Sequence, residues 1–182
     1  MSVGRTTRIL FLLMALFGAL SPEAHAQVNS GPATINLLAV RNPGVAVSAT
    51  PGNVNFALVN NGVATGSTPI TITTTWDVQP SVGNLTLYAF FSSTTAALSN
   101  GAGNNIASSR VKGSVNGGAF VPFTGISPYA AGSSLQIFTF RVLGSNRRGT
   151  RNDTLNLQID LTGAVLPAGT YSGTLLIQAQ AL

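Results

Sequence analysis

Cysteine is absent from the chain, so a disulfide or a thiolate metal site is excluded, and packing and backbone pairing alone must hold the fold. Histidine occurs once, as His25, methionine as Met1 and Met14, and glutamate only as Glu23; all four precede Gln27. Charged residues make up 7% of the 182, and the seven cations after residue 26 are too dilute for the dense Lys/Arg stripe that nucleic acid requires. A polar, weakly charged chain invites a reading of disorder, but the regular apolar alternation described below argues against it.

What the N-terminus does contain is Arg5 and Arg8, an apolar run over 9–20, Ser21-Pro22, and the small-residue sequence Ala24-His25-Ala26. That is the charged region, apolar region and A-x-A cleavage site of a secretory signal peptide, and the run is short for a membrane span. Cleavage is expected after Ala26, giving a signal peptide over 1–26 and a single domain over 27–182, exported to the periplasm, cell surface or extracellular space. A lipoprotein anchor needs a cysteine that is missing, and no later segment has the length and apolarity of a membrane helix.

The 156 residues left by that cleavage suit one domain with a sizeable core. Their cations are Arg41, Arg110, Lys112, Arg141, Arg147, Arg148 and Arg151, and their carboxylates Asp77, Asp153 and Asp160, a side-chain balance of +4. General acid–base chemistry has only three Asp, three Tyr and one Lys to draw on. Ser-His-Asp, Cys-His and zinc sites cannot be assembled without His and Cys. Asp77 and Asp160 fall at outward positions of strands, and Asp153 at a turn into a strand, so a paired-carboxylate glycosidase site is not expected either. The expectation is a non-enzyme with no cofactor and no metal; Asn152-Asp153 is the best local oxygen cluster for calcium and supplies a single carboxylate. Asn84-Leu85-Thr86 and Asn152-Asp153-Thr154 match the glycosylation pattern, a three-residue signal that arises often by chance.

Period-two alternation, the mark of half-buried antiparallel strands, recurs along the chain. It appears over 34–40, in Val45, Val47 and Ala49, and again in Val54, Phe56 and Leu58 before the hairpin-type turn Asn60-Asn61-Gly62. Over 70–78 it places Ile70, Ile72, Thr74, Trp76 and Val78 inward, which makes Trp76 a core anchor. Over 84–91 Leu85, Leu87, Ala89 and Phe91 share one face, leaving Tyr88 and Phe90 with Thr86 on the other. Those two aromatics mark either a contact surface or a region covered by the chain that follows. Residues 92–134 are rich in Ser, Gly, Asn and Ala, with strands expected at 106–115 and 119–123, a single helical turn at 94–98 and a loop at 99–105.

Residues 135–142 are apolar on both faces, as in a strand buried on two sides or at an interface. Residues 144–153 read as a polar loop in which Arg147, Arg148 and Arg151 either touch polyanionic surface polymers or form a solvated hairpin tip. The chain then closes in what reads as a hairpin: 154–161, with Leu155, Leu157, Ile159 and Leu161 inward, and 166–182, with Tyr171, Leu175, Ile177, Ala179 and Ala181 on one face. The fold class is therefore all-β: a single Ig-like antiparallel β-sandwich of about 8–10 strands after a cleaved signal peptide.

Within that last arm, Leu166-Pro-Ala-Gly-Thr-Tyr-Ser-Gly-Thr-Leu175 resembles the closing strand of bacterial surface β-sandwiches, notably chaperone–usher pilins and the spore-coat-U-like pilin group. Those families commonly end in an aGtY turn-to-strand and an alternating final strand; the likeness covers about the last seventeen residues. Ala49-Thr-Pro-Gly-Asn-Val-Asn-Phe56 and the Thr-rich strand after it are similar to the opening of exported Ig-like domains of the PapD/ASH type. Both resemblances imply an Ig-like sandwich, and neither brings a catalytic residue.

Two functions follow as expectations. One is a structural or surface-assembly protein, pilin- or adhesin-like, in which residues 27–40 pair as a strand with a neighbour through Ile35, Leu37 and Val40, or pair within their own sheet. The other is a carbohydrate- or surface-ligand-binding module using Tyr88, Phe90 or Tyr129 as flat contacts. Partners are thus a second copy, a surface protein or a glycan.

Overall fold

The computed structural model describes residues 44–79, 83–126 and 132–182, all within one compact unit, Arg41–Leu182. The signal peptide expected over 1–26 and the strand expected at 27–40, with Ile35, Leu37 and Val40, lie outside the described residues, as does Tyr129.

The described chain is all-β, a sandwich of two antiparallel sheets. Eleven strands are assigned: β1 Gly44–Thr50, β2 Val63–Thr65, β3 Ile70–Asp77, β4 Asn84–Phe90, β5 Leu98–Ser99, β6 Asn105–Ile106, β7 Val111–Val115, β8 Val121–Pro122, β9 Ser134–Arg141, β10 Arg148–Asp160 and β11 Leu176–Ala181. Three of these are two-residue ladders, and the eight longer strands fall within the expected number. The larger sheet runs β1-β3-β10-β7-β8, with β2 also on β10; the smaller runs β11-β4-β9. Ile72, Leu85, Leu87, Leu155 and Ile159, from central strands of both sheets, are fully buried between them. Placing such side chains at every second residue is what makes these segments strands.

Trp76 packs as the alternation predicts, its ring 5.2 Å from Phe140 of the opposite sheet and its Nε1–H donating to the Asn146 carbonyl at 2.9 Å. At the expected turn, Asn61 adopts a left-handed φ of 53° and Gly62 N–H donates to the Val59 carbonyl. Thr74 also follows the pattern inward, but its Oγ1 is buried without a hydrogen-bond partner. An unsatisfied buried hydroxyl costs about 1–3 kcal/mol. Thr74→Val removes it at nearly constant volume, so the variant is expected to be more stable by about 1 kcal/mol in urea unfolding.

Several expectations are corrected. The stretch 106–115 is broken by a 3-10 turn at Ser108–Arg110, and 119–123 contributes only β8. Residues 94–98 form no helical turn but lead into β5. Residues 54–58 keep their half-buried alternation but contribute only an isolated bridge, Phe56 to Gly66. The two-sided apolarity of β9 has a local cause. Its register with β4 shifts by one, Leu87 opposing Phe138 and Tyr88 opposing Gln136, so Ile137 is an extra residue. That bulge turns Ile137 and Phe138 both toward the core, while Gln136 and Thr139 stay exposed.

The C-terminal hairpin is not one. β10 lies in the larger sheet and β11 in the smaller, paired with β4, so the two arms face each other across the core. Nor is 144–153 a free loop: β10 starts at Arg148, and Arg148–Leu155 pair with Asp77–Ile70 of β3. The turn ahead of β10 is closed by Asn146, whose Oδ1 accepts from Leu143 N–H at 2.6 Å and whose Nδ2 donates to the Arg141 carbonyl at 3.0 Å.

Candidate functional site

β1 and β11 are the edge strands on one side of the sandwich, one in each sheet, and they run close to each other. Their inward residues are only half-buried: Val45 and Val47 on β1, Ile177, Ala179 and Ala181 on β11. Opposite Val47, Ile177, Ala179 and Ala181 the neighbouring strands place Thr74, Ala89, Leu87 and Leu85, all fully buried, whereas Trp76 opposite Val45 is itself half-buried. Past Thr50, Pro51 and Gly52 lead the chain away from β3, since proline has no N–H to extend a ladder. Over the same span the opposite wall, 169–175, is largely unpaired with β4.

Between these walls opens a groove of about 880 Å³. Its floor is apolar, built from Ile70, Leu157 and Ile159 of the larger sheet, Ile177 of the smaller, and Phe91 just past the end of β4. Its rims are 51–56 and 169–174, small and polar apart from Val54, Phe56 and Tyr171. The far wall is pinned at one point: Ser99 and Ser172 exchange backbone hydrogen bonds at 2.9 and 3.0 Å. Gly173 lies so close to the Ala97 carbonyl that a Cβ would collide with it. An apolar floor between two strand-like rims suits an extended segment, whose alternate side chains enter the floor while its backbone meets the rims.

The side chains anticipated as contacts are placed differently. Phe90 is 8% exposed and is no contact platform; of the two readings, burial is the one that holds for it. Tyr88 sits half-buried on the outward face of β4. Arg148 bonds Asp77 through Nε at 3.2 Å, an exposed pair of little energetic weight. Arg147 is half-buried, its carbonyl accepting from Val78 N–H. Arg151 grips Asp153 through both Nε and Nη2, and its guanidinium lies 4.7 Å above the Phe138 ring. Two of the three arginines are therefore engaged within the fold.

Asp153, expected at a turn, stands in the middle of β10 opposite Ile72 and is 1% exposed. Burial pushes its carboxyl up, but hydrogen bonds from Arg151 and from Asn116 Nδ2, at 2.7 Å, together with the Arg151 charge, outweigh that and hold it below the usual range. Asn116 reaches this position from a left-handed φ of 50°, its Oδ1 accepting Thr154 N–H at 2.8 Å. Asp160, bonded by Lys112 Nζ at 2.7 Å and by Thr162, is likewise held well below the ordinary carboxylate range. Each of the three aspartates thus has a cationic partner within the fold, Asp77 included. Among the described residues, no three His, Cys, Asp or Glu side chains gather into a metal-binding group.

The groove went unanticipated as a site. Its signals were present in Val54, Phe56 and Leu58 and in Tyr171, Leu175 and Ile177, but alternation alone assigns such residues to the core without revealing that, among the described residues, no strand continues past β1 or β11. No family model matches the chain, and no curated protein matches it.

Proposed function

We propose that this chain is an exported, non-catalytic surface-assembly protein of pilin-like character, whose subunits join by strand pairing. Residues 27–40 of one molecule supply the strand, and the groove between 51–56 and 169–175 of the next receives it. Ile35 and Leu37 enter the floor, and Val40 packs at the end nearer β1. The observation that carries this reading is the apolar-floored groove that the described residues leave between half-covered edge strands. Main-chain pairing along such an edge gives affinity, and alternate side chains filling the floor give specificity. The resemblance of 166–175 to the closing strand of bacterial pilins agrees with it. Export through the signal peptide and the shortage of catalytic side chains are in keeping with a structural role.

Deletion of 27–40 from the purified mature protein tests the proposal by size-exclusion chromatography and electron microscopy. Folded monomers that no longer form fibres are expected. Ile177→Arg, which puts a charge in the groove floor, is expected to give molecules that donate but do not accept. A mixture of the two variants then stops at dimers. Loss of folding in the deletion variant at every concentration would instead mean that 27–40 pairs within its own sheet, and the proposal would fall.

A further inference from the structure

Three asparagines in the chain precede a glycine: Asn61, Asn100 and Asn116. A glycine has no side chain to shield its nitrogen, so each pair holds the atoms of a deamidation, in which that nitrogen closes on the asparagine Cγ. The fold treats those atoms differently at the three places.

At Asn61 the attacking nitrogen is engaged, because Gly62 N–H donates to the Val59 carbonyl at 3.2 Å. At Asn116 the departing nitrogen is held, Nδ2 donating to the Asp153 carboxylate at 2.7 Å, and a bond to a charged acceptor is a strong one. Loss of that amide would also set a second carboxylate against the buried one. Asn100 has neither restraint. It lies half-buried in the loop between β5 and β6, where Gly101 and Gly103 take left-handed φ of 73° and 86°. Gly101 N–H donates to the Ser99 hydroxyl at 3.2 Å, a long bond to a rotatable group. Among the described residues no acceptor takes a hydrogen bond from Asn100 Nδ2. Its Oδ1 accepts two backbone N–H groups, from Ala102 at 2.9 Å and Asn104 at 3.1 Å. The Oδ1 atoms of Asn61 and Asn116 accept one each among the described residues, from Gly163 and Thr154. Donors already aimed at a carbonyl oxygen stabilise the oxyanion that forms there.

We infer that Asn100 is a self-modification site, which deamidates to aspartate and isoaspartate in the folded protein ahead of the other two. Gly101 N gives its proton to solvent hydroxide and bonds Asn100 Cγ, and negative charge gathers on Oδ1 between the Ala102 and Asn104 N–H groups. The Cγ–Nδ2 bond then breaks. The departing nitrogen takes a proton from water and leaves as ammonia, which closes a five-membered imide. Water opens that ring at either carbonyl, giving aspartate at one and, at the other, isoaspartate with a backbone one carbon longer.

The longer backbone does not fit this loop. Asn100 N–H donates to the Asn104 carbonyl at 3.1 Å, and Ser99 just before it makes the paired backbone bonds to Ser172 that pin the far wall of the groove. Isoaspartate at this position therefore releases the wall at that bridge. The deamidation and the release do not depend on strand pairing; a change in assembly would rest on that reading.

Incubation of the mature protein in mildly alkaline buffer, followed by peptide mapping in a mass spectrometer, tests the site. Asn100 is expected to convert about tenfold faster than Asn61 or Asn116, a barrier lower by about 1.4 kcal/mol. In urea the three rates are expected to converge, because the hydrogen bonds that distinguish them are gone. Folded-state conversion at Asn100 no faster than at the other two, or the same ranking in urea, would overturn the selection by the fold. Each converted molecule gains a negative charge, so ion exchange separates it from unconverted molecules of the same incubation. The Ser99 and Ser172 amides are expected to lose their protection against hydrogen exchange in the isoaspartate fraction and to keep it in the unconverted one. Equal protection in both would overturn the release of the wall. Neither readout requires fibres, so both stand whether or not the subunits pair through 27–40.

Discussion

Arg151→Met is expected to destabilise the protein by about 3–5 kcal/mol at pH 7, the cost of stranding a buried charge. Asp153 has a side chain with no exposed surface, and it accepts three hydrogen bonds from Arg151. Without that arginine, Asn116 is the remaining donor to the carboxylate among the described residues. The reverse truncation, Asp153→Ala, is expected to cost less, because the Arg151 side chain is 42% exposed and can turn to solvent. Replacing both, as Arg151→Met with Asp153→Leu, is expected to recover most of the loss, since an apolar pair has no charge to desolvate. Urea unfolding of the three variants measures each term, and a single-variant cost below about 1 kcal/mol would show that the pair is no more than a surface ion pair.

The pH dependence gives an independent reading of the same pair. In the parent protein the folded-state Asp153 carboxyl is held below its unfolded value by the Arg151 and Asn116 hydrogen bonds against the effect of burial. Its contribution is therefore present above the unfolded pKa of about 3.9 and is lost as pH falls through the lower folded value. Asp160 acts in the same direction. Stability should stay level from pH 7 to about 5 and decline only below about 4. In Arg151→Met, burial is left to push the Asp153 carboxyl upward, so that variant should gain stability on acidification where the parent has none to gain.

The same pair marks the limit of what the residue pattern could disclose. Ile70, Ile72, Thr74, Trp76 and Val78, and Leu155 to Leu161, were legible because every second residue is apolar or small and the intervening ones are polar. The first half of β10 defeats that test: its inward residues are Gly149, Arg151 and Asp153, opposite Trp76, Thr74 and Ile72. Two are charged and one has no side chain, so the stretch reads as a loop although it is paired throughout. Gly149 is there because a Cβ would meet the Trp76 ring, a requirement set by a residue 73 positions away. Partner choice was equally hidden, because an amphipathic strand records which face it buries but not which sheet it joins. β11 was accordingly assigned to β10 in place of β4, and the groove, which exists only because β1 and β11 are edges, could not be seen.

Gly173→Ala is expected to cost about 1–3 kcal/mol, while the neighbouring Gly169→Ala should be close to neutral. The contrast is steric. At Gly169 an added Cβ reaches only Asn100, at 3.8 Å and beyond, an ordinary contact. At Gly173 it would run into the backbone carbonyl of Ala97, which no rotamer change can move aside. Relief requires 172–174 to move away from β5, and that motion breaks the paired hydrogen bonds between Ser99 and Ser172. The melting temperature should fall by roughly 2–4 °C for each kcal/mol lost. Because 169–175 is the far wall of the groove, the same substitution changes the width of the slot proposed to receive a strand. Gly173→Ala should therefore slow fibre growth at temperatures where the molecule is still fully folded, and Gly169→Ala should not. Equal growth rates for the two, measured by light scattering well below both melting temperatures, would separate the wall from assembly.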